Sequence, residues 1–188
     1  CLETLDITRT TKKNVQIMFV LREKKKFQKN IHVWIALSEP GMSEPLFRST
    51  TSAAIKSSIY INECLEERLI PFIDKYHQDL NYIFWSDLAS AHTAKETISW
   101  MDENINFVPV DMNPPNVPKA RPIEDFWGVL AQNVYEGGCE AKSPEQLIRR
   151  INACLKKIDA KFLQSLMKGI KTKLRLIADK GVLSVYKK

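Results

Sequence analysis

The sequence predicts a mixed α/β domain. Short apolar, β-rich runs fall at 15–21, 31–38, 82–85 and 107–110, helical periodicity is interleaved with them, and from residue 123 onward helical patterns take over completely. A chain of 188 residues, 44% hydrophobic and 27% charged, is long enough to bury a core under such a layer of strands.

The elements follow in order. Residues 1–14, CLETLDITRTTKKN, are mostly polar and without period, and read as a loose lead-in to a domain spanning 15–188. VQIMFVL (15–21) reads as a strand, REKKKFQKN (22–30) as a basic turn, and IHVWIALS (31–38) as a strand whose weak alternation implies burial on both faces. EPGMSE (39–44) carries the Pro and Gly of a hairpin turn, and PLFRST supplies a short further strand. Over 57–76, Ile61, Cys64, Leu65, Leu69, Phe72 and Ile73 recur at helical spacing; Ser57 or Ser58 is placed to cap the start, and Pro71 is expected to kink or break the helix.

YIFW (82–85) then reads as a buried strand ending near Asp87, AKETISWMDEN (94–104) as a short helix with Ile98 and Met101 inward, and FVPV (107–110) as another strand. DMNPPNVPKARP (111–122) holds four prolines and cannot be helix or central strand. Pro122 suits the first turn of the helix 123–136. Ser143 caps the next helix (143–158), and the last (159–181) is closed by Gly181.

Composition narrows the chemistry. With 6 glycines and neither GxGxxG nor GxxxxGK[ST], a glycine-rich phosphate loop is excluded. The net charge of +6 and pI near 9.1 favour a polyanionic partner. Cys1, Cys64, Cys139 and Cys154 show no metal-ligand spacing and read as reduced thiols of an intracellular protein. No apolar run approaches the ~20 residues of a membrane span. Trp34, Trp85 and Trp127 sit in apolar segments and read as core.

Two carboxylates stand out. Asp87 lies just past an apolar strand, and Glu124 opens a helix behind the Pro-rich loop. In an α/β sheet, strand ends and helix starts on one side converge on ligand sites. Two acids meeting there repel unless a cation lies between them, and Mg²⁺ or Mn²⁺ suits oxygen ligands. The same spacing also fits a plain turn at Asp87 and a carboxylate beside the helix dipole at Glu124.

The stretch FWSDLASAHTA resembles the second catalytic motif of Tc/mariner superfamily transposases, and NPPNVPKARPIEDFWGVL resembles the third. HVWIALSEPGMSEPLF resembles the strand pair between the first and second motifs, and the tail from SPEQLIRRI resembles the C-terminal helices. The resemblance spans residues 30–188. It implies a ribonuclease H-like mixed sheet flanked by helices and metal-dependent DNA strand cleavage and transfer at transposon ends, in the nucleus, with a homodimer as one assembly.

Carried over by residue, Asp87 and Glu124 become catalytic metal ligands for Mg²⁺ or Mn²⁺. His92 and Asp125 become supporting residues, His92 fitting equally a hydrogen-bonding role at a helix start. Lys119 and Arg121, with Lys24, Lys25, Lys26 and Lys29, become DNA-backbone contacts, for which solvated surface charge is the alternative. The family's first acid, in a DES-like motif, is not found. Asp6 is the only aspartate before Asp74 and lacks that setting. The fold is therefore expected to be N-terminally incomplete and the activity impaired. The alternative is a transposase-derived DNA-binding or interaction module without catalysis.

Overall fold

The computed structural model describes residues 30–50, 55–115, 117–181 and 184–185. The strand expected over 15–21, Asp6, and Lys24, Lys25, Lys26 and Lys29 lie outside the described residues.

Strand β1 (Asn30–Trp34) pairs antiparallel with β4 (Leu46–Thr50), with Val33 opposite Phe47 and Trp34 opposite Leu46. Between them β2 (Leu37–Ser38) and β3 (Gly41–Met42) form a small antiparallel ladder. The apolar run expected as one strand over 31–38 is thus split at Ile35 and Ala36, where Ala36 N–H donates to Ser43 Oγ at 2.9 Å. Gly41 is required by close approach: a Cβ there would lie 2.7 Å from the Tyr76 ring.

Residues 31–36 are all buried, as weak alternation predicts, because helices cover both faces. Ile31, Val33 and Ile35 point into one core with Phe126, Trp127, Leu130, Val134, Leu147 and Ile151. Trp34 and Ala36 point into the other, with Tyr60, Cys64, Leu65, Leu69, Phe72 and Met101.

The first helical stretch begins as α1 (Ser57–Ile59), widens to i→i+5 hydrogen bonding over Tyr60–Leu69, and returns to α geometry in α2 (Ile70–Tyr76). The Ile70 N–H reaches back to the Leu65 carbonyl. The helix is not broken at Pro71, contrary to one half of the sequence expectation; its hydrogen bonding does change type just before that residue. A proline ring ordinarily collides with the carbonyl four residues back. Here Pro71 falls where the wide turns end, in the first turn of α2, the place in a helix where proline is best tolerated. No side chain caps α1; Ser57 Oγ donates instead to Glu96 Oε2 of α3 (Lys95–Asn104) at 2.7 Å. Cys64 is fully buried within the wide segment, and burial pushes its thiol pKa up to about 12.

YIFW and FVPV do not become full strands. They meet at one parallel bridge, Phe84 to Phe107, with Phe84 N–H donating to Asn106 O (2.8 Å) and Val108 N–H to Phe84 O (2.9 Å). The next rung would bring Val110 N–H to Ser86 O, but Ser86 O accepts from Asn113 Nδ2 at 2.8 Å instead. Ile83 is 71% exposed, so YIFW is not a buried strand. Strand directions are nonetheless mixed: antiparallel pairs and a parallel bridge, flanked by helices.

Helix α4 (Pro122–Val134) begins with Pro122 in its first turn and buries Phe126, Trp127, Leu130, Ala131 and Val134. Arg150 of α5 (Pro144–Leu155) donates to the carbonyls of Val134 and Glu136, satisfying the end of α4 with a cation. Ser143 caps α5 as expected, accepting from Gln146 N–H at 3.2 Å. The last helix divides at Gly169 into α6 (Ala160–Lys168), capped by Asp159, and α7 (Ile170–Lys180), closed by Gly181 at φ 79°. Among the described residues no helix is long and apolar enough to cross a membrane.

Two outcomes follow. Phe126→Ala empties a fully buried ring position and is expected to lower unfolding free energy by roughly 3–5 kcal/mol in urea denaturation. His32 faces Arg48 across the β1–β4 pair, and burial, then Arg48, lowers its pKa below 6.5. The fold therefore holds His32 neutral, and stability present above pH 6.5 is lost as pH falls through the lowered pKa. Between pH 7.5 and 5.5 the denaturation midpoint should fall more steeply in the parent than in His32→Asn.

Candidate active site at the Asp87 turn and the start of helix α4

The chain leaves the Phe84 bridge and turns at once. Asp87, 2% exposed, makes the turn itself: its Oδ1 accepts from Ala89 N–H at 3.0 Å. The small residues that follow let the turn close. His92 N–H and Thr93 N–H both donate to Ala89 O, and Thr97 Oγ1 donates to Ala91 O at 2.7 Å, tying the turn to α3. His92 is buried, stacks on Tyr60 with ring centroids 4.0 Å apart, and places Nδ1 2.6 Å from Asp87 Oδ1. That contact is close but oblique, off the line a good hydrogen bond needs. Asp87 Oδ2 is buried and has no hydrogen-bond partner among the described residues.

The Pro-rich loop reaches the same turn through Asn113, which sequence reading did not single out. Asn113 is buried. Its Nδ2 donates to Ser86 O at 2.8 Å, and its Oδ1 accepts from Trp85 Nε1 at 2.9 Å and from Arg121 Nη2 at 3.0 Å. The guanidinium of Arg121 also lies 5.3 Å from the Trp85 ring centroid. Trp85 is therefore only half-buried and serves the loop rather than a central core. The signal available in the sequence was an asparagine within a proline-rich run: a polar side chain in a segment without its own backbone ladder has partners to find.

Arg121 itself is 6% exposed, at the residue preceding α4, so its charge is turned inward. Burial lowers its pKa, while Asp87 and Glu124 oppose that shift. Glu124, half-buried in the first turn of α4, has its pKa raised by burial; Arg121 acts against this, and Asp87 and Asp125 add to it. Asp87, Arg121 and Glu124 thus lie within electrostatic reach of one another. Asp125 is exposed and faces α7, with Lys173 Nζ 3.3 Å from its Oδ2. Lys119 is exposed on the short 3₁₀ turn Pro118–Ala120. Among the described residues no three His, Cys, Asp or Glu side chains are grouped closely enough to hold a metal ion.

No protein-family model matches the chain, and no curated protein matches it. Solved structures do. The catalytic domain of Mos1 transposase, solved with raltegravir and manganese, superposes at TM-score 0.70 with 13% identity over 83% of this chain and 78% of that one. The catalytic domain of Mos1 mariner transposase superposes at 0.69 with 14% identity over 87% and 79%. The Mos1 transposase paired-end complex with the left transposon end gives 0.69 and 11% identity, over 93% of this chain and 50% of that one. The chain spans about half the length of that transposase. The fold is accordingly ribonuclease H-like, the class expected from the sequence.

A stability consequence is specific to Glu124. Its raised pKa means that the folded chain binds protons more tightly than the unfolded one, so stability present below pH 4.5 is lost as pH rises. Glu124→Gln should melt higher than the parent at pH 7, with the difference closing near pH 4 in thermal unfolding followed by circular dichroism.

Proposed function

We propose that this chain is a mariner-type transposase catalytic domain whose chemistry centres on Asp87 and Glu124, with DNA as its substrate. The observation that carries the reading is the pairing of a buried, unpartnered carboxylate oxygen, Asp87 Oδ2, with a second carboxylate that senses it across the start of α4. The fold shared with Mos1 catalytic domains and the FWSDLASAHTA and RPIEDFWG stretches support it.

The donors fit a hard divalent ion. Carboxylate oxygens suit Mg²⁺ or Mn²⁺, and one of them is already desolvated without a partner. Asp87 and Glu124 would hold the ion. When bound, it supplies the Lewis acidity that activates water or a DNA 3′-hydroxyl for in-line attack on phosphorus. The chain's own residues do the rest. Ala89 N–H holds Oδ1 of Asp87 and His92 lies against it, while Oδ2 is left without a hydrogen-bond partner among the described residues. The α4 N-terminus favours an ionised Glu124 against its burial. Lys119, exposed beside the site, is placed for a DNA phosphate. Asp125 pairs with Lys173 of α7 on the outer face and also acts on the Glu124 carboxyl, so a supporting role for it is part of this reading. By the same reading the protein works in the nucleus on transposon ends, and a dimer would bring two ends together.

A second reading, a DNA-binding module without catalysis, is favoured by one observation. Arg121 already supplies positive charge to both acids. The two are separated by a supercoiled-plasmid nicking assay in Mg²⁺ or Mn²⁺ beside a DNA-binding titration. Metal-dependent nicking that Asp87→Asn and Glu124→Gln each reduce at least 100-fold is the expected outcome for the catalytic reading. Two acids make a thinner site than the family's three, so strand transfer by the 188-residue chain is expected to be weak. Salt-sensitive DNA binding with no nicking, unchanged in both variants, would leave only the second reading.

A further inference from the structure

We infer that Arg121 is a positioning residue that holds a fixed positive charge beside Asp87 and Glu124 without occupying their oxygens, so that it sets how tightly the pair takes a divalent ion. The inference rests on the reading of those acids as metal ligands and adds to it a determinant of their affinity.

Four observations converge. The guanidinium is buried, and burying a charge is costly unless neighbouring groups compensate it. It is held from two sides, by Asn113 Oδ1 at 3.0 Å and by the Trp85 ring at 5.3 Å from its centroid. It nevertheless makes no ion pair within 4.0 Å among the described residues, although both carboxylates act on its pKa. Arg121 Nε is buried without a hydrogen-bond partner among the described residues, so the guanidinium is tied through Nη2 to Asn113 and not through Nε.

The arrangement is a cation kept at a distance. Were Arg121 free, its planar fork would close on a carboxylate in the bidentate manner that arginine favours. Asn113 and Trp85 hold it short of that. The held charge stabilises two adjacent carboxylates, which otherwise repel one another. It also opposes any further cation placed between them. Two consequences of opposite sign follow. Removing the charge strengthens divalent-ion binding. Releasing the charge from its anchors lets it cap the carboxylates and weakens binding. A residue that merely shaped the pocket would weaken binding in both cases.

The test is Mn²⁺ titration of the 188-residue protein and its variants, followed by loss of the free-ion electron paramagnetic resonance signal, with circular dichroism melts to establish folding. Arg121→Gln is expected to bind Mn²⁺ roughly tenfold more tightly than the parent, the order expected for one nearby charge in a partly desolvated site. Arg121→Lys, which keeps the charge, should stay near the parent. Asn113→Ala should bind several-fold more weakly. If Asn113→Ala does not fold, Trp85→Leu releases the other face of the guanidinium and should weaken binding likewise. Arg121→Gln binding equally or more weakly than the parent, while Asp87→Asn abolishes binding, would overturn the inference and leave the ligand assignment standing. Equal Mn²⁺ binding by the parent and Asp87→Asn would remove the ligand assignment, and this inference with it.

Discussion

The carboxamide of Asn113 is the joint on which the site depends. Residues 111–122 hold four prolines and, among the described residues, no strand ladder, so nothing periodic registers the loop against the body. One buried side chain does it instead. By donating to the Ser86 carbonyl and accepting from Trp85 and Arg121, it ties the residue before Asp87 to the residue that opens α4. Glu124 follows three residues after Arg121, and its N–H bonds to the Arg121 carbonyl at 3.2 Å. The separation of the two acids is therefore set by one amide and one helical turn. Buried polar hubs of this kind are valuable only when every member is paired, because an unpaired member costs ~1–3 kcal/mol.

The layers on either side make that joint rigid. Strand β1 is buried on both faces, by α4, α5 and α6 on one side and by the wide helix and α3 on the other. Each layer delivers one half of the site: α4 carries Glu124, and the wide helix carries Tyr60, whose ring supports His92 and through it Asp87. Their relative position is fixed by apolar packing against a common pair of strands. Ionised Glu124 works against folding, since burial raises its pKa, with Arg121 opposing and Asp87 adding to the shift. Strain of this sort is expected where function rather than stability selects a side chain.

Much of this was legible in the sequence, for physical reasons. Helix boundaries at Pro122, Ser143 and Gly181 were readable because a proline at a first turn, a serine cap and a glycine stop act locally. The burial of 31–36 was readable from unbroken hydrophobicity. The short runs YIFW and FVPV fall short of full strands, because apolar β-rich composition does not reveal that pairing stops after one bridge, where Asn113 takes the Ser86 carbonyl. Pro71 does not break its helix because it falls in the first turn after the wide segment, and the existence of that segment is set by tertiary packing rather than by local composition. Asp87 and Glu124 could be named from neighbouring residues. Asn113 and the inward turn of Arg121 could not, since they depend on a loop whose path only tertiary contacts define.

The deepest sulfur in the wide helix has a further consequence. With burial pushing its pKa up to about 12 and no exposure, Cys64 stays a protonated thiol at neutral pH. Peroxide and alkylating reagents act on the thiolate, so the native fold shields this position from both. Slow modification of Cys64 would then report transient opening of the layer between Tyr60 and Leu69, making the sulfur an internal clock for the breathing of the helix that backs the site.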